Sequence, residues 1–221
     1  MFTDILNGIN SPMNVIKSLV ELLRNYDFNA NETQDIVNNI IDTTKKIIHI
    51  SEDVQRFIEL EVSDININID TADVNLLISE AVNKNIDEIK RKNITMKINI
   101  APEVTTIKLD AQKITIVLHN LINNAVKFTN NNGKISINCY PKNNSVIFEV
   151  ADTGIGIDQE DLKKIYENME ASDCLAISNN NGTIGLLIVK KYIEAHNGNV
   201  LVSSVLGKGS TFSFNVPLNI N

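Results

Sequence analysis

The sequence predicts an α+β protein in two parts: an antiparallel helical hairpin over residues 1–62, then a two-layer α/β sandwich with a mixed sheet over residues 63–221. Three observations carry that prediction. Apolar residues recur at alternating three- and four-residue spacings from Phe2 to Phe57, the period of a helix with one buried seam. After Glu61 the pattern becomes short β-branched runs with helical stretches between them. Asn- and Gly-rich clusters punctuate those runs as turns.

The first helix carries its seam on Phe2, Ile5, Ile9, Pro12, Ile16, Leu19, Leu23 and Tyr26. Asp27–Asn31 is a polar break in which Asn29 and Asn31 are suited to a turn or a helix cap. The seam resumes at Ile36, Ile40, Thr43, Ile47, Ile50, Val54 and Phe57. Leu6, Met13, Val20 and Leu22 on one helix, and Val37, Ile41 and Ile48 on the other, widen the stripe beyond what one partner helix covers. Two hairpins are therefore expected to pair as a four-helix bundle, making a homodimer. The alternative is a single hairpin packed on its own C-terminal domain.

In the second part Ile94–Ile100, Thr105–Leu109, Lys134–Tyr140, Ser145–Ala151, Asn199–Val205 and Ser210–Val216 read as strands. Helical patterns cover Val74–Lys92, Ala111–Phe128, Gln159–Asn168 and Ile184–His196, and are expected on one face of the sheet. Asn131-Asn132-Gly133, Lys142-Asn143-Asn144 and Gly207-Lys208-Gly209 mark turns, and Ser63–Thr71 reads as the junction between the parts.

Composition excludes several function classes. A net charge of −7 lacks the clustered Lys and Arg of a general nucleic-acid footprint. No run approaches the ~20 apolar residues that cross a bilayer, and the first ten residues lack the basic-then-apolar order of a secretory signal. Cys139, in a strand, and Cys174, in a loop, fit no disulfide or metal framework. A cytoplasmic location is expected, for a whole protein or for a soluble part of a longer one.

Three motifs carry chemistry. On the helix through His119–Thr129, Asn120, Asn124 and Lys127 share a face, being four and then three residues apart. An amide oxygen is a hard ligand for Mg²⁺, and an ammonium reaches phosphate as a point charge. Asp152-Thr153-Gly154-Ile155-Gly156-Ile157 follows a strand directly. Its carboxylate can accept a hydrogen bond from a purine amino group, and its glycines let the backbone turn close to a ligand. Asn181-Gly182-Thr183-Ile184-Gly185-Leu186 opens a helix, whose first N–H groups suit phosphate oxygens.

Taken in order, with Gly207-Lys208-Gly209-Ser210-Thr211-Phe212 before the last strand, these motifs resemble the catalytic and ATP-binding domain of sensor histidine kinases. The helical hairpin resembles the same family's dimerisation and phosphotransfer module, so the resemblance covers nearly the whole chain. It implies the sandwich of the wider gyrase–Hsp90–MutL ATPase superfamily and a site for ATP with Mg²⁺. Asn120, Asn124 and Lys127 would form the N box, with Asn124 the metal ligand. Asp152 would hold adenine beside Gly154 and Gly156. Gly182 and Gly185 would belong to the second glycine-rich box and Thr211 to the last.

The chain departs from that family where phosphate would be accepted. A His followed by Glu usually stands a few residues before Thr-Pro-Leu, and Pro12 aligns Asn7 with that His and Gly8 with that Glu. With Phe2 and Ile9 at heptad position a, Asn7 falls at the solvent-facing f position. A carboxamide nitrogen is delocalised into its carbonyl and is no nucleophile, whereas neutral imidazole is. Other histidines (His49, His119, His196) lie in no comparable motif. The second glycine-rich box has Asn181 and Thr183 where Gly is frequent, and Glu167–Asn180 offers no Lys or Arg to phosphates. Tyr166 and Met169 stand where paired Phe residues are often found. The expected function is a two-component signalling protein that binds ATP yet does not autophosphorylate at the usual site. It would scaffold or regulate a response-regulator receiver domain or a partner histidine kinase. The alternative is an active kinase using another histidine or phosphorylating a partner in trans.

Overall fold

A computed structural model describes residues 2–62, 65–170 and 183–218. The chain divides into two compact units, with one boundary after Val62 and the second unit resuming at Gly185. The first holds helices α1 (Phe2–Asn25) and α2 (Ala30–Val62), which pack on each other. Ile9, Pro12, Ile16, Leu19 and Leu23 of α1, and Ile36, Ile40, Ile47, Ile50 and Val54 of α2, are half-buried along the expected seam. Thr43 is buried there, its hydroxyl donating to Asn39 O at 2.7 Å. The seam ends one residue early. Tyr26 lies beyond the last turn of α1 and is exposed, and the half-buried ring is Phe28, 6.5 Å from it.

Asn29 starts α2. Its side-chain oxygen accepts from the N–H groups of Asn31 and Glu32, both at 3.0 Å, and Glu32 Oε2 accepts from Asn29 N at 3.0 Å. This reciprocal arrangement satisfies donors that the first helical turn leaves open. Asn31 sits inside the helix, so of the two candidates only Asn29 is the cap.

The second unit runs β1 (Asp70–Asp73), α3 (Val74–Asn83), α4 (Ile86–Arg91), β2 (Thr95–Ile100), β3 (Thr106–Leu109), α5 (Ala111–Phe128), β4 (Lys134–Lys142), β5 (Ser145–Asp152), α6 (Gln159–Glu170), α7 (Thr183–Ala195), β6 (Val200–Val205) and β7 (Gly209–Pro217). The main sheet has the order β2-β4-β5-β7-β6, parallel between β2 and β4 and antiparallel elsewhere, so it is mixed as expected. Alternation puts Ile135, Ile137 and Cys139 of β4, Val146, Phe148 and Val150 of β5, and Phe212, Phe214 and Val216 of β7 on the buried face. Helices α5 and α7 cover that face with Ile114, Leu118, Leu121, Ile122, Ile188 and Ile193. Phe148 and Phe214 stack at its centre, centroids 4.9 Å apart, each contributing roughly 2–3 kcal/mol by burial.

Two expectations need correction. The Val74–Lys92 helix is broken into α3 and α4. At the break the buried Asn85 amide donates back to Ala81 O and lies 3.1 Å from His119 Nδ1 on α5, a local and tertiary alternative to helical pairing. The strand at Thr105–Leu109 is β3, and it pairs with β1 outside the main sheet. β1 itself begins inside the segment read as junction, since Asp-Thr-Ala-Asp carries no strand pattern until β3 lies beside it. No helix of the described residues is long and apolar enough to cross a membrane.

Candidate functional site

The helix that carries three candidate residues is fixed first at its N-terminus. Asp110 caps α5 by accepting from Lys113 N at 3.0 Å, and its other oxygen accepts from Asn68 N at 2.9 Å and Lys113 Nζ at 2.8 Å. Burial would raise its pKa, but these donors and the Lys113 charge hold the carboxyl below its ordinary value. Asp110 N donates to His196 Nε2 at 3.0 Å, which leaves the proton on Nδ1, facing Tyr192 O at 2.6 Å. His196 is completely buried, and burial pushes its pKa below the ordinary value against the hydrogen bond to Tyr192 and the Asp110 charge. It is a neutral strut between α5 and α7, with no face open to phosphate. His119 is half-buried beside Asn85.

The three residues of the α5 face differ in placement. Asn120 is buried, and its Nδ2 donates to Ile116 O of its own helix at 3.0 Å. A Cβ on Gly185 would lie 2.8 Å from Asn120 Oδ1, so Gly185 lets the start of α7 close on this amide. Asn120 thus sits where the start of α7 approaches α5. Asn124 is half-buried, and no hydrogen bond to its side chain is found among the described residues. Lys127 is exposed, its Nζ 5.0 Å from the centroid of the neighbouring Phe128 ring.

At the end of β5 the backbone turns through Asp152–Ile157. Asp152 Oδ1 accepts from Gly154 N at 2.7 Å, and the carboxylate also receives Ser210 N. Burial nevertheless pushes the Asp152 pKa up. A half-buried carboxylate so held retains lone pairs for a neutral donor such as an exocyclic amine. The glycines have a different immediate reason from the one expected. A Cβ on Gly154 would lie 2.3 Å from Phe128 O, and one on Gly156, at φ +69°, would lie 2.1 Å from Val205 O. Both are needed for the turn to lie against the end of α5 and the β6–β7 hairpin.

That hairpin holds the turn through groups the sequence reading missed. Ile157 N donates to Ser204 Oγ at 2.8 Å, Ser204 Oγ lies 2.9 Å from Ser210 Oγ, and Gly207 N donates to Ile155 O at 2.7 Å. The available signal was a serine at an inward position of β6, two residues after the buried Val202. Thr211 is half-buried, in register with Ala151 of β5, next to Asp152. Tyr166, from α6, donates its hydroxyl to Val202 O of β6. A cleft of about 460 Å³ opens between the end of α5 and the turn, lined by Lys92, Lys127, Phe128, Thr129, Asn130, Asn131 and Ile155.

The structure therefore brings Lys127 and Phe128 to the Asp152–Gly156 turn. Gly182, Asn181, Cys174 and residues 171–180 of the loop before α7 lie outside the described residues. Asn7 and Gly8 lie within α1. Among the described residues, no group of three or more His, Cys, Asp or Glu side chains is placed to hold a metal.

Residues 109–220 match the model of the histidine kinase-, DNA gyrase B-, and HSP90-like ATPase family. The chain is 27% identical over 220 residues to the sensor protein KdpD of Clostridium acetobutylicum, covering 98% of this chain and 24% of that protein. It is 25% identical over 221 residues to the sensor histidine kinase WalK of Bacillus subtilis, covering 97% and 36%. It thus spans a quarter to about a third of the length of these relatives. The histidine kinase ThkA, solved in complex with the response regulator protein TrrA, superposes with a TM-score of 0.74 at 21% identity, over 99% of this chain and 61% of that one, a likeness of fold.

Proposed function

This chain belongs to the histidine kinase-, DNA gyrase B-, and HSP90-like ATPase family and carries a sensor histidine kinase core; from that premise we propose that it binds ATP with Mg²⁺ but does not phosphorylate itself at the family's usual position. It acts on this reading as a dimeric scaffold or regulator in two-component signalling. Its partner would be a response-regulator receiver domain or another histidine kinase. The division into a hairpin over residues 1–62 and a nucleotide domain over 63–221 belongs to the same proposal.

The residues present fit the nucleotide. Asp152, held by Gly154 N and Ser210 N, would accept from the adenine amino group. Asn124, half-buried with no hydrogen bond among the described residues, is free to offer its oxygen to Mg²⁺. Lys127 would meet phosphate, with Gly182, Gly185 and Thr211 completing the boundary. Bound ATP supplies a γ-phosphoryl group that an in-line nucleophile can take. What supports the rest is Asn7-Gly8 in α1, which alignment on Pro12 sets opposite the position of that nucleophile. A carboxamide nitrogen does not attack phosphorus, and Gly8 provides no carboxylate to take a proton.

Incubation with γ-labelled ATP and Mg²⁺ is expected to leave the protein unlabelled, while a fluorescent ATP analogue binds and Asn124→Ala weakens its Mg²⁺-dependent component. Stable, acid-labile label on the protein would overturn the proposal. Label appearing instead on an added kinase that has its histidine but a disabled nucleotide site would favour transfer in trans.

A further inference from the structure

We infer that Lys92, which lies in none of the four motifs, positions the end of α5 for nucleotide; this rests on the nucleotide reading above. The basis is a complete account of the carbonyls at that helix end. A helix leaves its last carbonyls without partners inside the helix. Here Ala125 O accepts from Thr129 N at 3.0 Å, and Phe128 O accepts from Ile155 N of the Asp152–Ile157 turn at 3.2 Å. The remaining three, Val126 O, Lys127 O and Thr129 O, all accept from Lys92 Nζ, at 2.8, 2.9 and 3.0 Å. An ammonium has three donors, and each has a carbonyl.

Lys92 is itself held. It closes α4, its N–H donating to Glu88 O at 3.0 Å, and its carbonyl accepts from Asn132 N at 2.8 Å. The last turn of α5 is thus gripped from two sides, by Lys92 and by the turn that begins at the adenine carboxylate. Lys127 and Phe128, at that end, line the same cleft as Lys92 and Ile155. The ammonium also offsets the negative end of the α5 dipole, which would otherwise face an incoming polyanion. Because Lys92 reaches main-chain atoms with all its donors, it is a positioning residue and does not itself contact phosphate.

A matched control exists on the same helix. Lys113 pairs with Asp110 at the N-terminus of α5, roughly 25 Å away at 1.5 Å per residue. Lys92→Met and Lys113→Met each remove a charge-assisted contact from one end of α5. Both are expected to lower the unfolding midpoint, but only Lys92→Met should weaken a fluorescent ATP analogue, by about tenfold, measured well below both transitions. Unchanged affinity in Lys92→Met, or an equal loss in Lys113→Met, overturns the inference and leaves the nucleotide reading standing. If the unaltered protein ignores the analogue, both fall. If Lys92→Met does not fold, Lys92→Gln, which keeps two donors without the charge, carries the same test with an expected loss of about threefold.

Discussion

The helical hairpin and the α+β unit obey the same sequence rules but reach different degrees of completion. Every buried apolar side chain among the described residues lies between Ala72 and Val216, and among the described hairpin side chains only Thr43 is buried. The hairpin seam is half-buried, while Met13, Val15, Val20, Leu22, Ile41, Ile48 and Ile58 stand exposed beside it, Met13 and Ile48 each at 53%. One unit closes its core within a single chain. The other has a second apolar surface left over, which is the physical argument for a partner hairpin. Replacing Ile48 by Asp attacks that surface twice in a symmetric dimer, once in each copy. A charge buried at two related positions costs on the order of 4 kcal/mol, about a thousandfold in dimer dissociation constant. Sedimentation at micromolar concentration is expected to show dimer for the unaltered chain and monomer for Ile48→Asp, with the α+β unit still folded. A dimer unaffected by Ile48→Asp would mean that the exposed stripe is covered in some other way.

The α+β unit should instead show its completeness through pH. His196 is neutral in the folded state, its pKa held down by burial, while in the unfolded chain it titrates near 6.5. Below that value the unfolded state binds the additional proton, so stability is fully present above about pH 6.5 and falls as the pH drops towards the folded-state pKa. The slope cannot exceed about 1.4 kcal/mol per pH unit for one group. Protonating Nε2 would also remove the acceptor for Asp110 N and bring a cation towards Lys113, although Asp110 partly compensates. Denaturant midpoints between pH 7 and 5, monitored in the α+β unit, should carry this dependence, and His196→Gln should flatten it at the cost of overall stability. A dependence that persists in His196→Gln would assign it to groups other than His196.

What the sequence made legible follows the same division. Periodicity alone located the hairpin seam and the sheet interior, because both depend on one residue after another falling on the same face. The ordered Asn120–Lys127, Asp152–Gly156 and Gly207–Phe212 motifs pointed to the candidate site. Roles that depend on distant partners were hidden. Nothing local says that Asn85 meets His119 across 34 positions, or that Lys92 closes a helix ending 36 positions later. Gly154 and Gly156 were legible as points of close approach, but the atoms that approach are Phe128 O and Val205 O, which only the fold brings there. Asn120 shares a helical face with Asn124 and Lys127, yet its amide turns back to Ile116 because the start of α7 closes over it. β1 was invisible because four polar or small residues become a strand only beside β3.

The smallest test returns to the hairpin, where local chemistry should decide the outcome almost alone. Asn29 accepts from two N–H groups of the first turn of α2, and Glu32 answers by accepting from Asn29 N. Asn29→Ala removes one half of this box and leaves the other, so the loss should be about 1 kcal/mol, the usual worth of such a cap. Because the site is exposed, water can replace part of what is lost, which keeps the effect near that value. Chemical denaturation of the full chain should show it in the helical signal of the hairpin and leave the midpoint of the α+β unit in place. If the two units instead shifted together, they would unfold as one cooperative body, and the contrast between a finished core and an unfinished one would not extend to their stabilities.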